Sequence, residues 1–469
     1  MNKKTEVREL YDTVIKGDYC IGCGACSFVE NSPFKMGLDE FGNYKAYLDP
    51  VYLDVSNNLQ LLNVCPFSGK SKNEDELGEI FFPSNKKDNY IGNYLNCYAG
   101  FVKDDKFRSR GSSGGLAKWL GAKLLETDEI DNFIQVTANQ TNNPSNLLFD
   151  YVIHNNSEDV LKGSKSSYYP TTLEAILKYV NENDGSYAIT GTPCFIKTLR
   201  LLSLKNPLIN KRIRFTFGIV CGGMKSANHS KMVGWQLGVH PDNLTAIDFR
   251  RKFKDRPANH KIYQVWTDRD KEERFEDSSK IIGTDYGAGF FKPNPCDYCD
   301  DVVAETADIS FGDAWLPQYT KDPKGTSLVI VRNKILNKIL TNYRGKDIAL
   351  DDLSKDDVIK SQAGGFRHRR EALSFRIHNK DKSKIWYPKK RVEPRQFKIS
   401  NKRKKLYSIR EELAKESHVV FLKALKENDL AIFTTKMASL MELYKKAKKK
   451  SYYERILKKL KSISALKTD

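Results

Sequence analysis

"SYAITGTPCFIKTLRLLSL", residues 186–204, holds a short apolar run, a Gly-Thr turn and a proline that opens an amphipathic stretch. Proline is favoured at the first helical position because its missing N–H would have no partner there. The stretch therefore predicts a buried strand that turns sharply into a helix, with Cys194 at the helix start. The same alternation extends in both directions. Upstream, "NCYAGFV" (96–102) predicts a strand, and "SSGGLAKWLGAKLLE" (112–126) a helix with Leu116, Trp119, Leu120 and Leu124 at helical spacing. "NFIQVTA" (132–138) and "DYVIHN" (150–155) predict strands and "TTLEAILKYVNE" (171–182) a helix. Downstream, "IRFTFGIVC" (213–221) reads as a strand and "SANHSKMVGWQLG" (226–238) as a helix. "LTAIDFR", "IYQVWT" and "TSLVIVRN" follow as further strands. Strands alternating with helices predict an α/β (α+β) core with a largely parallel sheet over residues 90–370.

The chain has 469 residues, which favours two or three domains. A hydrophobic content of 40% with 11% aromatic residues excludes general disorder. Residues 1–75 are cysteine-bearing and rich in turns and predict a small separate domain. Residues 371–469 become helix-rich and basic, with Met437, Leu440, Met441 and Tyr444 at 3.6-residue spacing. No uninterrupted apolar run reaches about eighteen residues, so no transmembrane helix is expected. "MNKKTEVREL" lacks the apolar core of a secretory signal, and a reducing cytoplasm is the expected location.

Nine cysteines are present. Cys20, Cys23 and Cys26 form a C-x2-C-x2-C array, and the fourth cysteine of the bacterial iron–sulfur run is replaced by Glu30. In two-cluster ferredoxins that fourth cysteine serves the other cluster, so its loss leaves one site intact. Cys65, followed by Pro66, is the remote fourth ligand expected. Three cysteines at consecutive two-residue gaps predict a 4Fe-4S cluster over zinc, which usually takes two separated pairs. Gly22 and Gly24 are expected to let the backbone approach the cluster. A second set comprises Cys194, Cys221, Cys296 and Cys299; its spacing fits a tetrahedral zinc or a 4Fe-4S cubane equally. Cys97 is expected to be a small buried apolar residue.

"RSRGSSGGLAKWL" places Arg110, Ser112, Ser113, Gly114 and Gly115 before a helix, where free N–H groups can bind an anion or serine can simply cap. Lys165 and Tyr168 lie in the turn "GSKSSYYP". Arg250 and Lys252 share one face of a strand and could reach a phosphate. Asp308 and Asp313 could cap turns or line a site. The net charge of +19 gathers in "KKRVEPRQFKISNKRKKLYSIR" and "YKKAKKKSYYERILKKLKS". Such runs favour anionic partners, an acidic protein or membrane surface. Nucleic acid is not expected, because only Tyr407, Tyr444, Tyr452 and Tyr453 offer stacking rings among the charges.

Together these segments resemble the beta-subunit family of coenzyme F420 hydrogenases and dehydrogenases, which includes 7-hydroxymethyl chlorophyll a reductase. "CIGCGAC…CP", "YAGFVKDDKFRSRGSSGG", "LKGSKSSYYP", "TGTPCFIKTLR", "GIVCGG", "DFRRK" and "PCDYCDDVVAETADISFGDAW" occur in the family's order over about residues 15–335. The resemblance implies an FAD-binding flavoprotein with an N-terminal ferredoxin-like 4Fe-4S domain. It implies that Cys194, Cys221, Cys296 and Cys299 hold a second 4Fe-4S cluster and that the Arg110–Gly115 loop and Lys165 lie on FAD. Ser166 stands where the family often has tyrosine, and Gly222 where many members carry histidine. Both departures bear on substrate identity. The expected function is an oxidoreductase that takes electrons from a ferredoxin-like donor through the two clusters and FAD to an organic two-electron acceptor, coenzyme F420 or another. The alternative is a non-catalytic electron-transfer or scaffold subunit whose basic end docks an acidic partner.

Overall fold

The computed structural model describes residues 5–53, 55, 59–139, 147–253, 255–267 and 273–449. Its centre is one eight-stranded sheet of β1 (Asn96–Val102), β2 (Asn132–Ala138), β3 (Phe149–His154), β4 (Tyr187–Gly191), β5 (Ile213–Ile219), β6 (Ile309–Asp313), β7 (Ser327–Val331) and β8 (Ile348–Leu353). The strand order is β8-β1-β7-β6-β5-β4-β2-β3. β6, β5, β4 and β2 run parallel, whereas β8, β1, β7 and β3 join antiparallel. The sheet is thus mixed, not largely parallel. The reason lies in the connections: only the short helix Pro317–Thr320 lies between β6 and β7, and the residues 139–148 between β2 and β3 are fewer than the dozen or so that a parallel crossover takes.

The main helices are α1 (Leu116–Glu126), α2 (Glu174–Glu182), α3 (Pro193–Ser203), α4 (Ala227–Gln236), α5 (Lys334–Tyr343), α6 (Ala363–Arg369), α7 (Glu371–Lys382), α8 (Asn401–Glu427) and α9 (Leu430–Lys448). Strand alternation sends neighbouring side chains to opposite faces. Phe133, Ala188 and Val329 pack with Trp119, Leu120, Leu336 and Leu340 of α1 and α5. Ile134 and Ile189 pack on the other face with Leu177 of α2 and Ile196 and Leu199 of α3. A three-stranded antiparallel sheet, Ala246–Arg251, Ile262–Trp266 and Arg274–Asp277, is inserted between β5 and β6.

The N-terminal segment shares the second of these cores. Leu61, Val64 and Phe67 belong to one apolar cluster with Leu173, Phe195 and Tyr298. The C-terminal helices α8 and α9 pair as a hairpin, and Met437, Leu440 and Tyr444 are buried against the inserted sheet and Phe290–Phe291. Tyr407 is also buried, bonded to Glu371 and Arg403, so it presents no stacking face; Tyr452 and Tyr453 lie outside the described residues. Cys97 is buried in β1.

Candidate functional site

The first four thiols converge from two loops. Cys20, Cys23 and Cys26 lie around the start of the short helix Ala25–Phe28, and Cys65 ends the helix Leu61–Val64. Burial pushes the Cys26 thiol well up, and Cys20, Cys23 and Cys65 push it further, so the four act on one another electrostatically. The Ala46 N–H donates to Cys20 Sγ at 3.4 Å. Gly24 has φ of 84°, and a side chain there would come within 2.8 Å of Glu174 N and Thr172 Oγ1. Its bare Cα thus serves the close approach of the cysteine loop to the chain before α2.

The second set is assembled at the carboxyl ends of the parallel strands. Cys194 is the second residue of α3, just after β4, and Cys221 lies two residues past β5. Cys296 and Cys299 sit in and after the 3-10 turn Asn294–Tyr298. Backbone N–H groups of Gly223 and Met224 donate to Cys221 Sγ (3.3 Å) and Cys296 Sγ (3.2 Å). Burial raises the Cys194 thiol well above its ordinary value, and Cys299, Cys221 and Cys296 add to it. Burial also raises Cys296, to about 11, against the pull of Arg369. All nine cysteines are free. Buried and half-buried thiols that repel each other's ionisation call for a cation to hold them as thiolates. Among the described residues, no three His, Cys, Asp or Glu side chains are grouped to hold a single metal ion. Four cysteines are the donor set of a 4Fe-4S cluster and of a structural zinc alike.

Arg369, at the end of α6, contacts this set directly. Its guanidinium donates to the Cys296 carbonyl (3.1 Å) and the Cys221 carbonyl (3.3 Å) and lies 3.9 Å from Cys221 Sγ. It was not among the expected site residues, since "FRHRRE" gives no sign of which arginine turns inward.

Beside Cys221 opens a cavity of about 470 Å³. Thr190–Thr192, Ile219–Gly223 and Phe311–Asp313 line one side, at the ends of β4, β5 and β6, where open α/β sheets bind ligands. The lining also includes Ser112, Ser113, Gly115, Lys165 and Arg250, all expected from sequence. Ser112 Oγ donates to the Lys165 carbonyl and accepts from Ser166 Oγ at 2.9 Å, so the two loops are tied together. Lys165 Nζ pairs with Asp248 at 2.9 Å, and Arg250 Nη1 with Asp313 at 2.7 Å.

Three expected residues stand behind the lining. Gly114 packs on β1 and β7: an added Cβ would fall on the Gly100 carbonyl and within 2.9 Å of Phe101 Cα and Ser327 N. The Arg110 carbonyl accepts from Lys118 Nζ at 2.8 Å. Lys252 Nζ donates to the carbonyls of Arg108, Ser113 and Lys324 and so pins the glycine–serine loop from outside. Asp313 lines the cavity, whereas Asp308 is buried in a bond set with Arg200 and Thr216.

Basic side chains crowd the cavity. Lys118, on α1, is pushed down to about 7 by burial and by Lys165, Arg110 and Lys252. Lys252 is lowered to about 7 by burial, Arg250, Lys165 and Arg108. Cations that weaken one another in this way favour a bound polyanion. Ser113 Oγ and Ser164 Oγ are buried at the lining without a partner among the described residues. Unsatisfied donors beside a positive field fit a dinucleotide's phosphates. Lys118 escaped the sequence reading because it sits on a helix face that periodicity assigns to packing. Tyr286 was missed too. It occupies the space over Gly222, where a Cβ would lie 2.7 Å from its ring, and its hydroxyl donates to the Gly223 carbonyl. The space over Gly222 is thus filled by a phenol from another loop.

The chain is thus of the mixed α/β class, with a cavity lined by basic residues and a four-cysteine set at the carboxyl ends of its central strands. Two stretches match the coenzyme F420 hydrogenase/dehydrogenase beta-subunit family: residues 97–178 match its N-terminal part, and residues 184–356 its C-terminal part. The chain belongs to this family. It is similar to a coenzyme F420-dependent sulfite reductase of Methanocaldococcus jannaschii, with 22% identity over 388 residues, 80% of this chain and 53% of that protein. The chain therefore spans about half the length of the curated relative it matches. A chain of the F420-reducing [NiFe] hydrogenase complex from Methanosarcina barkeri aligns with 19% identity and a TM-score of 0.47, over 64% of this chain and 96% of that one. Among the described residues no helix is long and apolar enough to cross a membrane.

Proposed function

We propose that the protein is a cytoplasmic iron–sulfur flavoprotein oxidoreductase with two 4Fe-4S clusters and one FAD, working between a ferredoxin-like one-electron carrier and an organic two-electron partner, coenzyme F420 or another. Cys20, Cys23, Cys26 and Cys65 would hold one cluster and Cys194, Cys221, Cys296 and Cys299 the other. The observation that carries the reading is that the cavity lined by basic residues is walled by Cys221 itself, so that its occupant lies against the second thiol set. Clusters exchange single electrons, and a flavin exchanges one or two.

The chain's own residues supply the rest. Lys118, Lys165 and Arg250 offset phosphate charge, and the Ser113 and Ser164 hydroxyls supply donors. Gly223 and Met224 N–H groups, with Arg369, stabilise negative charge on sulfur. Tyr286 closes the cavity over Gly222. Family membership supports the assignment, and the sulfite reductase to which the chain is similar is named for F420 chemistry.

The test is metal, sulfide and flavin analysis of protein purified without oxygen. About eight iron, about eight sulfide and one releasable FAD per chain are expected. Stoichiometric zinc, or a protein that neither carries nor takes up FAD, would overturn the reading.

A further inference from the structure

The segment after α7, "KIWYPKK" (384–390), lies outside the matched family regions and reaches the first thiol set. Ile385 and Trp386 are exposed, at 51% and 38%. The Trp386 ring is 5.3 Å from the buried ring of Tyr19, whose hydroxyl donates to the Trp386 carbonyl at 3.1 Å. Tyr19 precedes Cys20, and its ring stands edge-on to that of Tyr298 at 4.9 Å. Tyr298 lies between Cys296 and Cys299. Three aromatic rings thus run from the surface past a ligand of each thiol set.

The rim of this spot is basic. Lys382, Lys384 and Lys389 are exposed and make no ion pair among the described residues. The Lys389 backbone lies against Gly69, four residues beyond Cys65. Two nearby acids are engaged: Asp18 with Lys45 at 2.5 Å, and Asp381 with the Tyr387 hydroxyl at 2.9 Å. A small apolar centre within a ring of free lysines suits a brief encounter with an acidic protein.

We propose that the Ile385–Trp386 face, rimmed by Lys382, Lys384 and Lys389, is the docking surface for an acidic iron–sulfur electron carrier that exchanges electrons with the Cys20 thiol set past Tyr19. This rests on the function proposed above. One electron leaves the reduced carrier, whose iron–sulfur centre is oxidised by one, and the group held by Cys20, Cys23, Cys26 and Cys65 is reduced by one; no bond or proton changes hands. Lysine charge sets the encounter rate, and the apolar pair sets the contact lifetime.

The test uses the holoprotein and an acidic two-iron ferredoxin as the probe, with association measured at low and high salt. Lys382→Glu/Lys384→Glu/Lys389→Glu should slow association about a hundredfold at low salt and flatten its salt dependence. Trp386→Ala should weaken binding about tenfold without changing the salt slope. Reversal of the exposed Lys334, Lys338 and Lys346, on and just after α5, which packs in a different core from the first thiol set, serves as the control and should leave association within about threefold. Thermal melting and reduction by dithionite should be unchanged in all variants, which separates docking from folding. Undiminished binding in both face variants, or an equal loss in the control, would overturn the proposal. Iron analysis of the same samples reads the function separately: absent iron would sink that reading, while the binding comparison still decides the surface.

Discussion

At the scale of single residues, Lys118 gives the cavity a pH signature. Its ammonium donates to the carbonyls of Arg110 and Gly163, yet burial and three neighbouring cations hold it down at about 7. A bound phosphate would offset those cations and raise it toward the ordinary lysine value, so binding takes up a proton. Affinity for FAD should therefore be highest below about pH 7 and fall as pH rises from about 7 toward about 10. The empty protein should show the opposite trend over the same window, because the unfolded chain then binds more protons than the folded one and stability rises with pH. Fluorescence titration of flavin-free protein checks this; Lys118→Met should lose about one proton of slope and keep that of Lys252. Affinity independent of pH from about 6.5 to about 9 would contradict it. The C-x2-C-x2-C array is legible because its spacing is local, whereas Cys65, Cys194 and Cys221 stand alone in the sequence. Lys118, Arg369 and Tyr286 are not legible, because each gains its role from residues far away in sequence: Lys165, Cys296 and Gly222.

At the scale of elements, most strands and helices of the core are readable as short apolar runs and 3.6-residue periods. The strand Ile309–Asp313 escaped because its residues read as turn formers around Asp308 and Asp313. The β8 edge, "IALDDL", alternates too weakly to announce itself. Pairing direction is a property of connections, so the mixed sheet could not be read from strand composition. The C-terminal helices show the same limit. Their apolar period was visible, but not what it covers: Phe421 and Phe433 pack with Phe291, at 5.4 and 5.7 Å between rings. Phe433 is fully buried. Phe433→Ala should cost about 3–5 kcal/mol, read by chemical denaturation, because the hairpin cannot collapse around the space. A loss under about 1 kcal/mol would mean that the hairpin contributes little to the core.

At the scale of the whole molecule, the parts are joined by buried charge as well as by apolar packing. Arg391, beyond α7, pairs with Asp300 next to Cys299, with Glu305, and with Glu74 and Asp75 from the segment after the first thiol set. Lys197 on α3 pairs with Glu74 at 3.1 Å. The chain's beginning, middle and end thus meet around the two thiol sets, and removing one partner would leave uncompensated buried charge. This convergence ties the segments that carry the two thiol sets into one framework. The most direct measurement is low-temperature electron paramagnetic resonance of the dithionite-reduced protein beside its Cys20→Ser and Cys194→Ser variants. Two distinct four-iron signals are expected in the parent, with the first variant losing one and the second the other, and each retaining the partner signal. A single signal in the parent, or both signals persisting in either variant, would contradict the assignment of two cysteine sets to two clusters.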